Sequence, residues 1–252
     1  MKNRLSDYYF ATAFSSYVIY LIFCHLVFFS DLQFPEAVSN TFGSPLIVLF
    51  YLLGLLLNIS FLLKRKNLKV ISWLLVWLVL STQVNPRMLW VSFPNLPLSL
   101  LCYLLIVLSE KNILPKKYEE YFEFLFRLTL GISYFTSGLD KLNTAQWSSG
   151  SAVATLYQTH HITFRSNSIV PIILGFTWIP VILTYATIAI ETSGLFLFFK
   201  RTKLYALVAL TSLHLGISFL MLLFELSMPY FIVLVWLILR DLEQRKYIGV
   251  KD

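Results

Sequence analysis

Eight apolar runs dictate what this chain can fold into. They lie at residues 11–29, 45–63, 69–83, 96–109, 122–139, 180–199, 204–223 and 228–239. A backbone placed in hydrocarbon must satisfy its own N–H and C=O groups, which restricts it to helices or closed barrels. Runs of this length and polarity predict transmembrane helices. Several fall short of the ~20 residues a straight span needs, so tilting or local bilayer thinning is expected. A ninth apolar piece, 169–178, is too short to cross and predicts a re-entrant or interfacial helix broken at Trp178–Pro180. The amino terminus imitates a signal peptide, with Lys2 and Arg4 ahead of the first run. That run is too long for a usual signal core and lacks a small-residue cleavage site, so it is read as the first span. Composition agrees: 58% of the residues are hydrophobic and 13% charged, against about 25% charged in soluble domains. The expected fold is an all-α integral membrane protein of about eight transmembrane helices plus the short re-entrant helix. It forms a single polytopic domain over 1–252, with no soluble domain, long linker or internal repeat.

The charges orient it. Lys2 and Arg4; Lys64, Arg65, Lys66 and Lys69; Lys111, Lys116 and Lys117; Lys200, Arg201 and Lys203; and Arg240, Arg245, Lys246 and Lys251 fall in alternate connections, on the side of the amino terminus. Arg127 sits within the fifth run, near its end on that same side, and the opposite side has only Arg87, Lys141 and Arg165. Cytoplasmic loops carry the excess of Lys and Arg, so both termini are expected in the cytoplasm. A ninth crossing at 169–178 would scramble the pattern. The net charge of +7 is thus explained by membrane orientation, and nucleic acid is not expected as a partner; membrane lipids are. Segments 30–44, 84–95 and 140–168 are placed on the extracytoplasmic side.

Few polar residues fall at membrane depth, and each is a candidate for function. Lys141 stands where the fifth run ends; its plainer reading is an ammonium snorkelling to the interface. Tyr134 and Ser137 precede it by seven and four residues, so the three share one helical face. Glu191 and His214 lie near the middles of the sixth and seventh spans. The short turn Lys200–Lys203 joins those spans as antiparallel neighbours, so the two residues are expected to pair at matching depth. The pair is either a proton relay behind a cavity or an interhelical hydrogen bond worth ~0.6–2 kcal/mol. Tyr185 shares the face of Glu191 only loosely. Arg87, in the outer Asn85-Pro86-Arg87 loop, either holds an anion or meets headgroups. His25 reads as a packed or interfacial residue and Glu225 as solvated. His160 and His161 are adjacent, with no cysteine or carboxylate cluster beside them, so no metal site is expected. Cys24 and Cys102 lie in apolar runs and read as unpaired packing residues. No nucleotide-binding glycine loop, nucleophile elbow or HExxH helix is present, which argues against ATP-driven chemistry and zinc proteolysis.

Four stretches taken together carry a resemblance. They are Tyr134-Phe135 with Gly138-Leu139 and Lys141-Leu142; Trp147, Gly150 and Ala152; Leu183-Thr184-Tyr185 followed by Glu191; and His214-Leu215-Gly216-Ile217 followed by Met221 and Phe224. From Arg127 to about Trp236 the chain resembles the horizontally transferred transmembrane (HTTM) domain family, which includes vitamin K-dependent gamma-carboxylase. The resemblance implies that Lys141 occupies the position of the base that deprotonates the reduced quinone. It also implies reduced vitamin K or another quinone as cofactor, and a peptide glutamate as the carboxylated group. A lysine acts as a base only where a neutral amine is available, as desolvation provides. The carboxylase carries a large soluble region after its spans, whereas this sequence ends at Asp252, and Arg87 stands in the loop where the family has a histidine. Short relatives include a bacterial membrane protein needed to mature or export a secreted peptide toxin.

The expected protein is therefore an HTTM-family protein of the bacterial cytoplasmic membrane. It helps to mature, modify or export a secreted peptide or lipid-soluble substrate through a cavity that opens away from the cytoplasm. Lys141 is the reactive group, with Glu191 and His214 supporting it and Tyr134, Trp147, Arg87 and Tyr185 binding substrate. The alternatives are a quinone-dependent oxygenase or gamma-carboxylase-like enzyme with Lys141 as base, and a structural or immunity-type membrane protein without chemistry. A secreted peptide or a partner protein is the macromolecular partner implied.

Overall fold

The structure is a computed structural model that describes residues 4–28, 44–84, 95–158, 175–221 and 224–248. Helices are its regular elements, and no strand occurs among the described residues. Over their described residues, all eight apolar runs are helical, apart from Phe199 at the end of the sixth. They form α1 (Leu5–Phe28), α2 (Ser44–Leu63), α3 (Leu68–Val84), α4 (Asn95–Glu110) and α5 (Lys117–Leu142). Two short helices follow, α6 (Ala145–Ser148) and α7 (Ala152–Gln158), then α8 (Trp178–Thr192) continuing into a 3-10 segment (Ser193–Phe198), and last α9 (Lys203–Met221) and α10 (Phe224–Ile248). The chain divides into two compact units, Met1–Glu119 and Glu120–Asp252.

Segment 140–168, which the charges placed on the extracytoplasmic side, contains α6 and α7. One expectation is corrected here. The sixth run is not one α-helix, because it tightens to 3-10 geometry from Ser193. The Ser193 hydroxyl bonds the Ile190 carbonyl at 2.6 Å, the kind of local competition that loosens α-helical pairing. Most of the piece 169–178 lies outside the described residues.

In the first unit α2 packs on α1 and α3, and α3 on α4. Its interior is aromatic. Phe10 stacks on Tyr103 with ring centroids 4.9 Å apart, and Phe61 meets Tyr103 and Phe14 edge-on. The Trp77 indole N–H donates to the Phe50 carbonyl at 2.9 Å, fastening α3 to α2. One end of this unit is ionic. Arg4 pairs with Glu119 at 2.9 Å, and Lys66 in the α2–α3 turn pairs with Asp7 and Glu110 at 2.9 and 2.7 Å. Asn67 then caps α3, its side-chain oxygen accepting from the backbone N–H groups of Lys69 and Val70. Burial works against the Lys66 charge, but Glu110 and Asp7 outweigh it and raise its pKa above 10.5. A raised amine pKa stabilises the fold below the ordinary value, and that contribution is lost only as pH climbs past the raised one. The turn is therefore cationic throughout the neutral range.

In the second unit α5 buries one continuous stripe: Glu123, Phe126, Arg127, Leu130, Gly131, Tyr134 and Gly138. The three- and four-residue steps are those of a helix face. At the start of the stripe sits a buried charge cluster. Arg127 bonds Glu123 at 2.6 Å and Asp241 at 2.7 Å, Arg240 bonds Glu123 at 3.2 Å, and Lys203 bonds Asp241 at 2.7 Å. The cluster ties the starts of α5 and α9 to the last part of α10. Arg127, which the sequence marks only as a basic residue within a span, is its hub.

The surface is apolar where a water-soluble protein's would not be. On α2, Leu56 and Leu63 are 63% and 73% exposed, and on α3 Trp73 is 64% exposed. Runs of such exposure call for an apolar partner or a membrane. Trp178–Phe198, 21 residues long, is the helical stretch among the described residues that is long and apolar enough to cross a membrane. Only 28% of its apolar window is buried, unlike the core helix of a soluble domain. Val48–Leu63, Leu68–Ser81, Leu96–Glu110 and Lys203–Ser218 are shorter apolar helices.

Candidate functional site

The Lys141 side chain is held by polar partners. Side chains on a helix lean toward its N-terminus, and this one follows that lean back along α5. Its ammonium donates to Ser137 Oγ at 2.9 Å, one turn earlier, and to Glu191 Oε2 on α8 at 2.5 Å. The Ser137 hydroxyl donates to the same carboxylate oxygen at 3.0 Å. The three polar groups thus close a triangle, with Glu191 buried and Lys141 half-buried. Glu191 stands ~20 Å along the helix from Trp178, so the pair belongs to the middle of the apolar stretch. A charge pair in such surroundings persists because each ion satisfies the other; removing either leaves the second uncompensated. Over the ammonium lies the Trp147 ring, its centroid 5.1 Å away, which is cation–π distance.

Glycine makes the approach of α5 and α8 possible. A β-carbon at Gly138 would stand 2.9 Å from the Thr192 backbone nitrogen and 3.3 Å from the Ile188 carbonyl oxygen. Backbone atoms cannot step aside as side chains do. Gly138→Ala is therefore expected to destabilise the protein by ~1–3 kcal/mol and to spread Lys141 from Glu191. Thermal unfolding in detergent measures it, and an unchanged midpoint would show that the helices have room to part. Gly150, at φ +79°, turns the chain from α6 into α7 in a conformation that side chains rarely adopt. The turn is clamped by the Tyr185 hydroxyl, which donates to the Ser148 carbonyl at 2.8 Å. The α6–α7 segment that carries Trp147 is further fixed to α8 by the Val153 N–H, which donates to Thr184 Oγ1 at 3.2 Å.

Two turns closer to the start of α5 lies a second polar layer. Tyr134 and His214 Nε2 are 2.6 Å apart, His214 Nδ1 and Ser227 Oγ 3.3 Å, and the Ser227 hydroxyl donates to the His214 carbonyl at 2.5 Å. Serine has one proton to give. Since that proton goes to the carbonyl, Ser227 Oγ accepts from His214 Nδ1–H. In the neutral imidazole this tautomer leaves Nε2 as the acceptor for the Tyr134 hydroxyl. Tyr230 lies flat against the ring, with centroids 4.8 Å apart and planes 9° from parallel.

The expected Glu191–His214 contact is therefore replaced by two others. The hairpin argument placed both residues near mid-span, and α8 does pack on α9, but both side chains bond to α5 instead. With Gly138 against Ile188 and Thr192, α5 presents Ser137 and Lys141 to Glu191 and Tyr134 to His214. Trp147 joins the Lys141 group, and Tyr185 acts one step away, on the turn that carries Trp147. Arg87, His160 and His161 lie outside the described residues. No group of three or more metal-binding side chains occurs among the described residues. Ser227 and Tyr230 were not singled out from the sequence, where nothing distinguishes them from other small or aromatic residues of a span.

The HTTM domain model matches residues 87–242, more than half of the chain and all of the stretch on which the resemblance rests. No curated protein and no solved structure matches the chain. Together with the Trp178–Phe198 helix, the family points to a membrane protein. By this match the chain belongs to the HTTM domain family.

Proposed function

We propose that this HTTM protein acts on a secreted peptide or a lipid-soluble substrate, with Lys141 as its reactive group. In this reading eight helices cross the membrane, both termini are cytoplasmic, and the site opens to the extracytoplasmic side of a bacterial cytoplasmic membrane. The observation that carries it is the Lys141–Ser137–Glu191 triangle under the Trp147 ring. The chemistry follows from the contact. Lys141 and Glu191 share a direct hydrogen bond, a path along which a proton can pass. Transfer of the ammonium proton to Glu191 produces the free amine that a base or nucleophile requires. The Tyr134–His214–Ser227 layer ties α9 and α10 to α5.

A second reading is a quinone-dependent oxygenase of the gamma-carboxylase type. The Trp147 ring beside the amine favours it, since a flat aromatic face suits a quinone ring. When bound, reduced vitamin K would supply the oxygen chemistry; Lys141 and Glu191 would hold and move its hydroxyl proton. Purified protein incubated with vitamin K hydroquinone in air, beside Lys141→Ala, tests this. Lysine-dependent epoxide supports the oxygenase. Its absence from folded protein leaves peptide maturation, and retained maturation in Lys141→Ala cells would point to a structural or immunity-type role.

Orientation has its own test. In whole cells, a cysteine replacing Ser149 is expected to react with a membrane-impermeant thiol reagent, and one replacing Lys66 is not. The reverse labelling would turn the site toward the cytoplasm.

A further inference from the structure

We propose that the α2–α3 turn binds the phosphate of an anionic phospholipid whose acyl chains run along α3. A concavity of about 610 Å³ opens there, and five of its lining residues are Lys64, Arg65, Lys66, Lys69 and Lys111. Their situations differ. Lys66 is held by Asp7 and Glu110, and the Arg65 guanidinium lies 3.4 Å from the centre of the Tyr8 ring. Lys64, Lys69 and Lys111 are exposed, and no ion pair engages them among the described residues. The two nearby carboxylates are thus already engaged, Asp7 by Lys66 and Glu110 by Lys66 and Arg4, while three ammonium groups, from the residue after α2, from α3 and from the residue after α4, line the concavity. That is positive charge in excess at a concave surface, the chemistry that captures a phosphate.

The neighbouring helix face selects the source of that phosphate. Lys69, Trp73, Val76 and Leu80 follow one another at steps of four, three and four residues, so they form one stripe down α3. All four are exposed. The order along the stripe is ammonium, indole, then two aliphatic side chains, which is the order of headgroup, interface and acyl chain in a lipid leaflet. The stripe is ~16 Å long from Lys69 to Leu80, comparable to one leaflet of hydrocarbon. A free phosphate would engage the lysines and leave the stripe unused. The assignment rests on the membrane embedding proposed above and is independent of any chemistry at Lys141.

The test uses the purified full chain, delipidated in neutral detergent and examined by native mass spectrometry with equal amounts of phosphatidylglycerol and phosphatidylcholine. Wild type is expected to retain phosphatidylglycerol with a preference of ~tenfold. The triple variant Lys64→Gln, Lys69→Gln, Lys111→Gln is expected to lose most of that preference, because anionic lipid attraction scales with basic residues near the headgroups. Trp73→Ala is expected to weaken retention of both lipids while keeping the preference. A triple variant that matches wild type in preference, with an unchanged unfolding midpoint, overturns the proposal. So does inorganic phosphate that binds with the same lysine dependence while phosphatidylglycerol shows no preference, since the site would then serve a free anion. A chain that stays monomeric in buffer without detergent removes the membrane reading itself, whatever Lys141 proves to do.

Discussion

Asp241→Ala is expected to destabilise the protein by ~3 kcal/mol, the lower end for breaking a buried ion pair. Asp241 has no exposed side-chain surface and accepts from both Arg127 and Lys203. Its loss leaves Glu123 as the one carboxylate among three cations in the cluster. Lys203, at 21% side-chain exposure, can turn toward water, which keeps the effect from the top of the range. Arg127, at 5%, cannot. Denaturant unfolding of the purified protein in micelles reads the difference. Adding Arg127→Met to the variant is expected to recover part of the loss, because the stranded cation is gone. Two effects that simply add would show that the residues do not interact, and a loss below ~1 kcal/mol would mean the cluster is hydrated. The same experiment bears on architecture, since this cluster joins the starts of α5 and α9 to the last part of α10.

Lys141→Arg is expected to abolish function, by ~100-fold or more, at unchanged abundance and stability. Arginine keeps the positive charge and the partnership with Glu191, but it does not release a proton at any accessible pH. Glu191→Gln is expected to fail as well, because an amide cannot receive the lysine's proton. Ser137→Ala is expected to act more mildly, since Lys141 and Glu191 still meet directly. The assay is epoxide formation from the hydroquinone, or maturation of a secreted peptide in cells, with the fold checked by unfolding midpoint. Full function in Lys141→Arg would sink the base and nucleophile readings together. It would leave Lys141 as a charge that holds α5 against α8.

Much of the fold was legible. Apolar runs and the basic residues between them located eight helices, because a backbone in an apolar phase has almost no alternative to helical pairing. Most members of the two polar clusters were legible as well. Lys141, Glu191 and His214 are conspicuous because ionisable groups are costly in apolar spans. The shared face of Tyr134, Ser137 and Lys141 followed from helical spacing alone. Less was visible where several residues act through a contact. Within segment 140–168, α6 and α7 were not read from the sequence because they are too short to leave a periodic signal. Ser227 was invisible because a serine in a span looks the same whether or not it fixes a tautomer.

What the sequence determined by itself was the class of structure and the identity of the costly groups, since both follow from local polarity and periodicity. What only the tertiary structure decided was their partners. Glu191 was expected beside His214 because the two lie at similar depth on neighbouring helices. The packing of Gly138 against the backbone of Ile188 and Thr192 brought α5 hard against α8, and the side chains of α5 then took Glu191 to Lys141 and His214 to Tyr134. Depth along a helix is written in the count of residues. The direction from which a third helix approaches is set by the close contact of backbones far apart in the chain, and no single segment of sequence contains it.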